Sequence, residues 1–205
     1  MTAPTARETA PFDRIAWQPR GRPLGWWGMA MFIVTEAMLF GLLLFAYFYL
    51  RADAPQWPLG DVKEPALLVP GIRTVILLGS SIPAHLGLQA IKRGRRGGFV
   101  VAMATTFVMA TVFFAGHVEE AHAMWTAGER PDVNAYLSAF WTVVNFHAFH
   151  LLVGMALIAG VLFRSRHYSA ERHLGPELVV SYWHFVDLVW VFVFSSLYLS
   201  VSWGG

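Results

Sequence analysis

Residues 24–50 read LGWWGMAMFIVTEAMLFGLLLFAYFYL, and this stretch decides the fold. Arg22 precedes it, Arg51 follows it, and a single charged side chain, Glu36, stands between them. A helix rises about 1.5 Å per residue, so this one crosses a hydrocarbon layer of about 30 Å with some tilt. Trp26 and Trp27 at one end and Tyr47 and Tyr49 at the other mark two membrane interfaces.

Four further apolar segments follow, at about 73–91, 99–125, 135–163 and 177–203. The third segment carries its helical pattern past Gly116 through His117, Glu119 and Glu120 to Trp125. The fifth opens on Gly175-Pro176, which suits a helix start. Composition agrees with these lengths. Of 205 residues, 56% are hydrophobic and only 14% charged, against roughly 25% charged in a soluble chain. Too little polar surface exists to cover five such helices in water. The expected fold is all-α: a polytopic membrane bundle of five transmembrane helices over residues 24–205. Residues 1–23, polar and containing Pro4, Pro11 and Pro19, are expected to form an extended tail on one membrane face and show no signal-peptide pattern.

The same numbers exclude other classes. So apolar a chain is not disordered. A net charge of +2 gives no basic footprint for nucleic acid. Without cysteine there is no disulfide, no Cys-ligated zinc and no iron–sulfur cluster. Neither a phosphate-binding glycine loop nor a nucleophile elbow is present.

Orientation follows from the loop cations. With the N-terminus inside, eleven Lys and Arg lie in inside segments, among them Lys92, Arg93, Arg95, Arg96, Arg164, Arg166 and Arg172, and four lie outside. The asymmetry predicts an inside N-terminus and an outside C-terminus. Small residues four apart, Ser80 and Ala84, then Ala102, Thr106 and Ala110, then Ala156 and Gly160, suit close helix contacts.

Polar groups inside the spans are the candidate functional residues. Glu36 falls near mid-membrane, where an ionised carboxylate costs at least about 2.5–3.5 kcal/mol. It is therefore expected to be neutral or hydrogen-bonded to a helix partner. Its role is a structural acid, a proton relay, or a lipid or subunit contact. His147 and His150 share a face of the fourth segment, and His184 and Asp187 share one of the fifth. If the two pairs face each other, with Glu119 and Glu120 nearby, they supply a metal site. The competing reading is a hydrogen-bonded network that fixes helix packing. Arg164, with Arg166, Arg172 and His173, is either a topology anchor or a lipid-phosphate site.

Residues 182–190, YWHFVDLVW, resemble the last-helix signature of subunit III of haem–copper cytochrome c oxidases. Residues 147–154, HAFHLLVG, resemble that family's His-Gly-x-His-x-x-x-Gly, and Gly28–Phe32 with Thr35 and Glu36 resemble its intramembrane-glutamate segment. Thr74 with residues 77–81, LLGSS, and the approach His173, Gly175, Glu177 also match, in the family's order. Three departures stand out. Arg73 replaces Asn before Thr, and Ala148 replaces Gly. Gly116, His117 and Glu120 replace parts of Gln-x-x-Glu-Tyr, leaving Glu119 as the matching acid.

The resemblance implies the short, five-helix bacterial form, in a bacterial cytoplasmic membrane. It implies no haem, copper or other metal in this chain. Haem and the copper-containing dioxygen site belong to subunit I, and the dinuclear copper to subunit II. Further small subunits or a cytochrome c-reducing complex are conceivable partners. The implied role is to hold phospholipids and keep turnover and proton uptake durable. Glu36, Arg164 and His173 are then the lipid-binding candidates, and Arg164 matches a lipid-binding arginine. A related five-helix branch accompanies nitric oxide reductases and shares the His pair and the Trp-His-x-Val-Asp ending; Phe185 favours the oxidase branch. From another class, a stand-alone proton-coupled transporter is the alternative, although no inverted repeat supports it.

Overall fold

The structure is a computed structural model, which describes residues 23–59 and 67–202. The expected tail, Lys63, Trp203 and the terminal Gly204-Gly205 lie outside the described residues. Six helices, α1 Leu24–Asp53, α2 Leu68–Gly79, α3 Ser81–Lys92, α4 Arg96–Thr126, α5 Ala135–Phe163 and α6 Leu174–Phe194, account for most of the described chain. Among the described residues there is no strand. Helices α2 and α3 are two halves of one span, Leu68–Lys92, and α6 continues through a wide turn at Ser195–Leu199 to Ser200–Ser202. Five helices are therefore long and apolar enough to cross a membrane.

The helix ends follow local chemistry. Helix α2 begins at Leu68 rather than near Arg73, because Pro70 falls in the first turn, where no backbone N–H needs a helical partner. Pro83 causes the break at Ser80. It lacks the N–H that would reach the Gly79 carbonyl, and its ring crowds that oxygen. Gly94, at φ 71°, lets the chain reverse after α3, and α4 starts at Arg96, three residues earlier than the apolar pattern suggests. Asn134 caps α5 by accepting from the Leu137 N–H at 2.8 Å and donates to the Leu59 carbonyl at 3.1 Å. The final helix begins at Leu174, with Pro176 in its first turn.

Helices α5 and α6 form the centre, while α1 packs on both from one side and buries only Phe40 and Tyr47. Helices α2 and α3 pack on α6, and α4 packs on α2, α3 and α5. Helices α3 and α4 approach closely at Gly87, where an added Cβ would stand 2.7 Å from Met103 Cε and 3.2 Å from Ala102 Cβ. Ser80, Ala84, Thr106 and Ala110 are buried in this contact, as their spacing suggests. Ala156 and Gly160 are not: they are exposed, because no helix among the described residues lies over them and they floor an open groove. Large apolar side chains cover the outside, with Met31, Met38, Leu42 and Phe45 on α1 more than three-fifths exposed. In water that surface would aggregate; in lipid it is the solvated face.

The cations gather at one end. Lys92, Arg93, Arg95 and Arg96 surround the α3–α4 turn, Arg164 and Arg166 follow α5, and Arg172 precedes α6. At the opposite end Arg51 clamps the turn at Ser200, its guanidinium donating to the Ser200 hydroxyl at 2.6 Å and carbonyl at 3.0 Å.

Candidate functional site

Most polar side chains that join one helix to another fall into three groups. In the first, Glu36 of α1 meets His150 of α5, with Oε2 2.9 Å from Nε2. His150 Nδ1 lies 2.7 Å from the Phe146 carbonyl, which only accepts, so Nδ1 carries a proton. The Nε2–Oε2 contact then holds one proton between two groups, whether written as acid with imidazole or carboxylate with imidazolium. Either way the pair is neutral overall, which is how a carboxyl tolerates this depth. The expected helix partner of Glu36 is thus His150, and the Tyr182 hydroxyl donates to the His150 carbonyl at 3.0 Å.

His147, one turn away on the same helix, does something different. Its ring lies against Trp190 of α6, centroids 4.7 Å apart, with the edges of Phe40 and Phe113 around it. It is 1% exposed, and neither ring nitrogen has a hydrogen-bond partner among the described residues.

The second group joins α3 to α6. Ser81 Oγ donates to Asp187 Oδ2 and lies 2.9 Å from His184 Nδ1. The adjacent Ser80, at the helix break, accepts from the Trp183 indole at 2.9 Å and donates to the Leu77 carbonyl at 2.6 Å. Trp190 repeats the pattern on α2, donating to Thr74 at 2.9 Å. Gly154 of α5 makes room for Trp183, whose ring atoms would stand 3.0 Å from a Cβ there.

The third group lies toward the other end. Arg73 of α2 donates from Nη1 to the Gly116 carbonyl at 2.5 Å and from Nη2 to Glu119 at 3.0 Å, and Nη1 also lies 3.5 Å from Glu120. The Tyr198 hydroxyl donates to Glu120 at 3.3 Å. His117, Glu120, Asn145 and Tyr198 line a cavity of about 10 Å³, which has room for one water.

These positions correct the facing-pairs reading. His147 and His150 do not oppose His184 and Asp187 around a common point: His150 turns to α1, while His184 and Asp187 turn to α3. Glu119 and Glu120 are occupied by Arg73, and Glu177 by Lys92 at 3.3 Å. Among the described residues, no three His, Asp or Glu side chains gather as a metal site. Sequence reasoning also passed over Ser81 as the link between His184 and Asp187, and over His85 and Gln89. Their signal was present: Ser81, His85, Gln89 and Arg93 recur every four residues, on one helix face.

Near the basic end, α1, α5 and α6 leave an open groove of about 440 Å³. Arg164 lines it beside Tyr168, with Met29, Leu157, Val161 and Leu178 forming apolar walls. Glu36 and His173 are engaged elsewhere, the latter donating from Nδ1 to the Ala170 carbonyl at 2.7 Å and lying 3.7 Å from Glu177.

Fold and site together define a polytopic membrane bundle whose intramembrane acids and histidines mostly tie one helix to another. The family model for cytochrome c oxidase subunit III matches residues 24–204, and the chain belongs to that family. A cytochrome c oxidase subunit 3 of Thermostichus vulcanus is 38% identical over 175 residues, covering 84% of this chain and 85% of that relative. One from a Synechocystis species is 36% identical, with 87% and 77% covered, and one from Arabidopsis thaliana is 33% identical, with 87% and 68% covered.

Proposed function

We propose that this chain is a non-catalytic, lipid-holding subunit of a haem–copper terminal oxidase in a bacterial cytoplasmic membrane. The complex reduces dioxygen to water and moves protons. Its haem and copper belong to subunits I and II, against which this bundle packs, and this chain supplies helices and bound phospholipid. The basic end faces the cytoplasm, in keeping with the cation asymmetry.

The groove at Arg164 carries the lipid reading. Among the described residues no acid pairs with this guanidinium, which lies in the interfacial zone where α5 ends. A phosphate suits it through charge-assisted hydrogen bonds, and the apolar walls below suit acyl chains. The exposed Ala156 and Gly160 leave that space open. The Glu36–His150 pair and the Ser81–Asp187–His184 triangle hold the helices that form the walls.

Phospholipid quantified per purified complex tests the reading. Arg164→Ala should lose about one lipid per chain and shorten the active lifetime, while Arg166→Ala, outside the groove, should lose none. Equal lipid content and lifetime in Arg164→Ala and the parent would defeat it.

A further inference from the structure

We propose that Asp187 is a proton-holding site and that the facing polar stripes of α3 and α6 are its access path from the basic end of the bundle. The proposal goes beyond the lipid-holding role and rests on the α3–α6 geometry alone.

The stripe on α3 is Ser81, His85, Gln89 and Arg93; α6 presents His184 and Asp187 to it. The direction of each hydrogen bond follows from what each group is able to donate. Arg93 has only donors, so it donates to Gln89 Oε1 at 3.3 Å, which turns the Gln89 amide nitrogen toward His85 Nε2 at 2.9 Å. That nitrogen therefore accepts, and His85 keeps its proton on Nδ1. At the far end, Ser81 Oγ–H is committed to Asp187 Oδ2, so the 2.9 Å contact with His184 is donated by His184 Nδ1. His184 Nε2 is then the acceptor. The bonds from Arg93 through Gln89 to His85, and from His184 through Ser81 to Asp187, thus all run toward the carboxyl.

One step lacks a direct bond. The His85 and His184 rings are 6.2 Å apart between centroids, a separation that one water bridges. A proton taken up at His85 Nε2, in place of the Gln89 donor, is matched by release of the Nδ1 proton toward His184 Nε2. His184 passes its Nδ1 proton to Ser81 Oγ, and Ser81 passes its own to Asp187. Each N–H or O–H bond broken is replaced by one formed, and the carboxylate ends as a neutral acid. The proton ends on Oδ2, which then donates back to Ser81 Oγ; Asp187 is 4% exposed and its Oδ1 has no partner among the described residues, so neutralising the carboxylate relieves a poorly solvated charge.

A helix lock alone explains less. It needs the triangle of Ser81, His184 and Asp187, but not His85, which stands exposed about 10 Å from Lys92 along α3. A polar ring at that depth on a bundle surface is costly and marks a proton or ion route more often than a fastening. Charged groups at the mouth are Arg93 and the Lys92–Glu177 pair.

Infrared spectroscopy of the purified, fully assembled oxidase tests this. The expected result is a carboxyl C=O band that shifts in D₂O and disappears in Asp187→Asn. Its exchange should slow by about tenfold or more in His85→Phe, and stay unchanged in Leu86→Phe on the apolar side of α3. If Asp187→Asn fails to assemble, Ser81→Ala assigns the band by moving its frequency. Equal exchange in all variants, equal slowing in Leu86→Phe, or the absence of any carboxyl band tied to Asp187 or Ser81 would each overturn the proposal.

Discussion

Arg73 occupies the space that a side chain at position 116 would need. An added Cβ at Gly116 would collide with Arg73 Nε and stand 2.6 Å from its Cζ, while the guanidinium donates to the Gly116 carbonyl. Arg73 and Gly116 are one feature: the arginine fits because the glycine is there.

The coupling is measurable. Gly116→Ala should displace Arg73 from both Glu119 and Glu120 and lower unfolding stability in detergent by about 1–3 kcal/mol. Arg73→Asn should remove most of that penalty, so the double variant falls well short of the sum. Additive losses would show that the two residues act independently.

Glu36→Ala leaves His150 Nε2 buried without its partner, at a cost of about 1–3 kcal/mol. Glu36→Gln keeps a donor in the same place and should lose less. Oxygen uptake followed over many turnovers should decline earlier in the alanine variant, with weaker retention of this subunit. An unchanged lifetime, lipid content and subunit association in Glu36→Ala would remove the pair from any holding role.

The two indole anchors permit a cleaner comparison. Thr74→Val preserves shape and removes only the acceptor for Trp190, so its loss, about 1–3 kcal/mol, isolates one unmade hydrogen bond. Ser80→Ala should match it, because Trp183 is then left in the same position. A near-zero change in both would mean that the indoles find other partners.

By contrast, Glu177→Gln breaks an ion pair whose two side chains are about a third exposed or more, and the expected change is about 0–1 kcal/mol, smaller still in high salt. A loss as large as that of Ser80→Ala would show the Lys92–Glu177 contact to be far better shielded than its exposure implies.

How much was legible beforehand differs from element to element. The five spans follow from apolar length, which the membrane dictates whatever the tertiary contacts. Their starts at Leu68 and Arg96 did not, because a proline in the first turn and a glycine pair read as loop unless the reversal at Gly94 is known. Glu36 was visible as an anomaly because its cost is local; its partner was not, since the choice of His150 depends on how α1 crosses α5. His147 and His150 share a helical face, yet one stacks on an indole and the other meets a carboxyl. Spacing says which side of a helix a residue occupies, and only the neighbours decide what it meets there. Ala156 and Gly160 fail for the same reason: a small-residue pair marks where a helix is able to approach, and among the described residues none does.

Pro83 has an effect reaching past the bend it makes. By taking away one backbone N–H, it leaves the Gly79 carbonyl without its helical donor, in the hydrocarbon beside α6. The two residues that follow that carbonyl are the ones that fasten the span to α6: Ser80 takes the Trp183 indole and Ser81 reaches Asp187. A single missing hydrogen bond thus sets the aim of two serines at once. Pro83→Ala, which lets the Gly79 carbonyl regain its bond, would straighten the span and loosen both contacts without touching either serine.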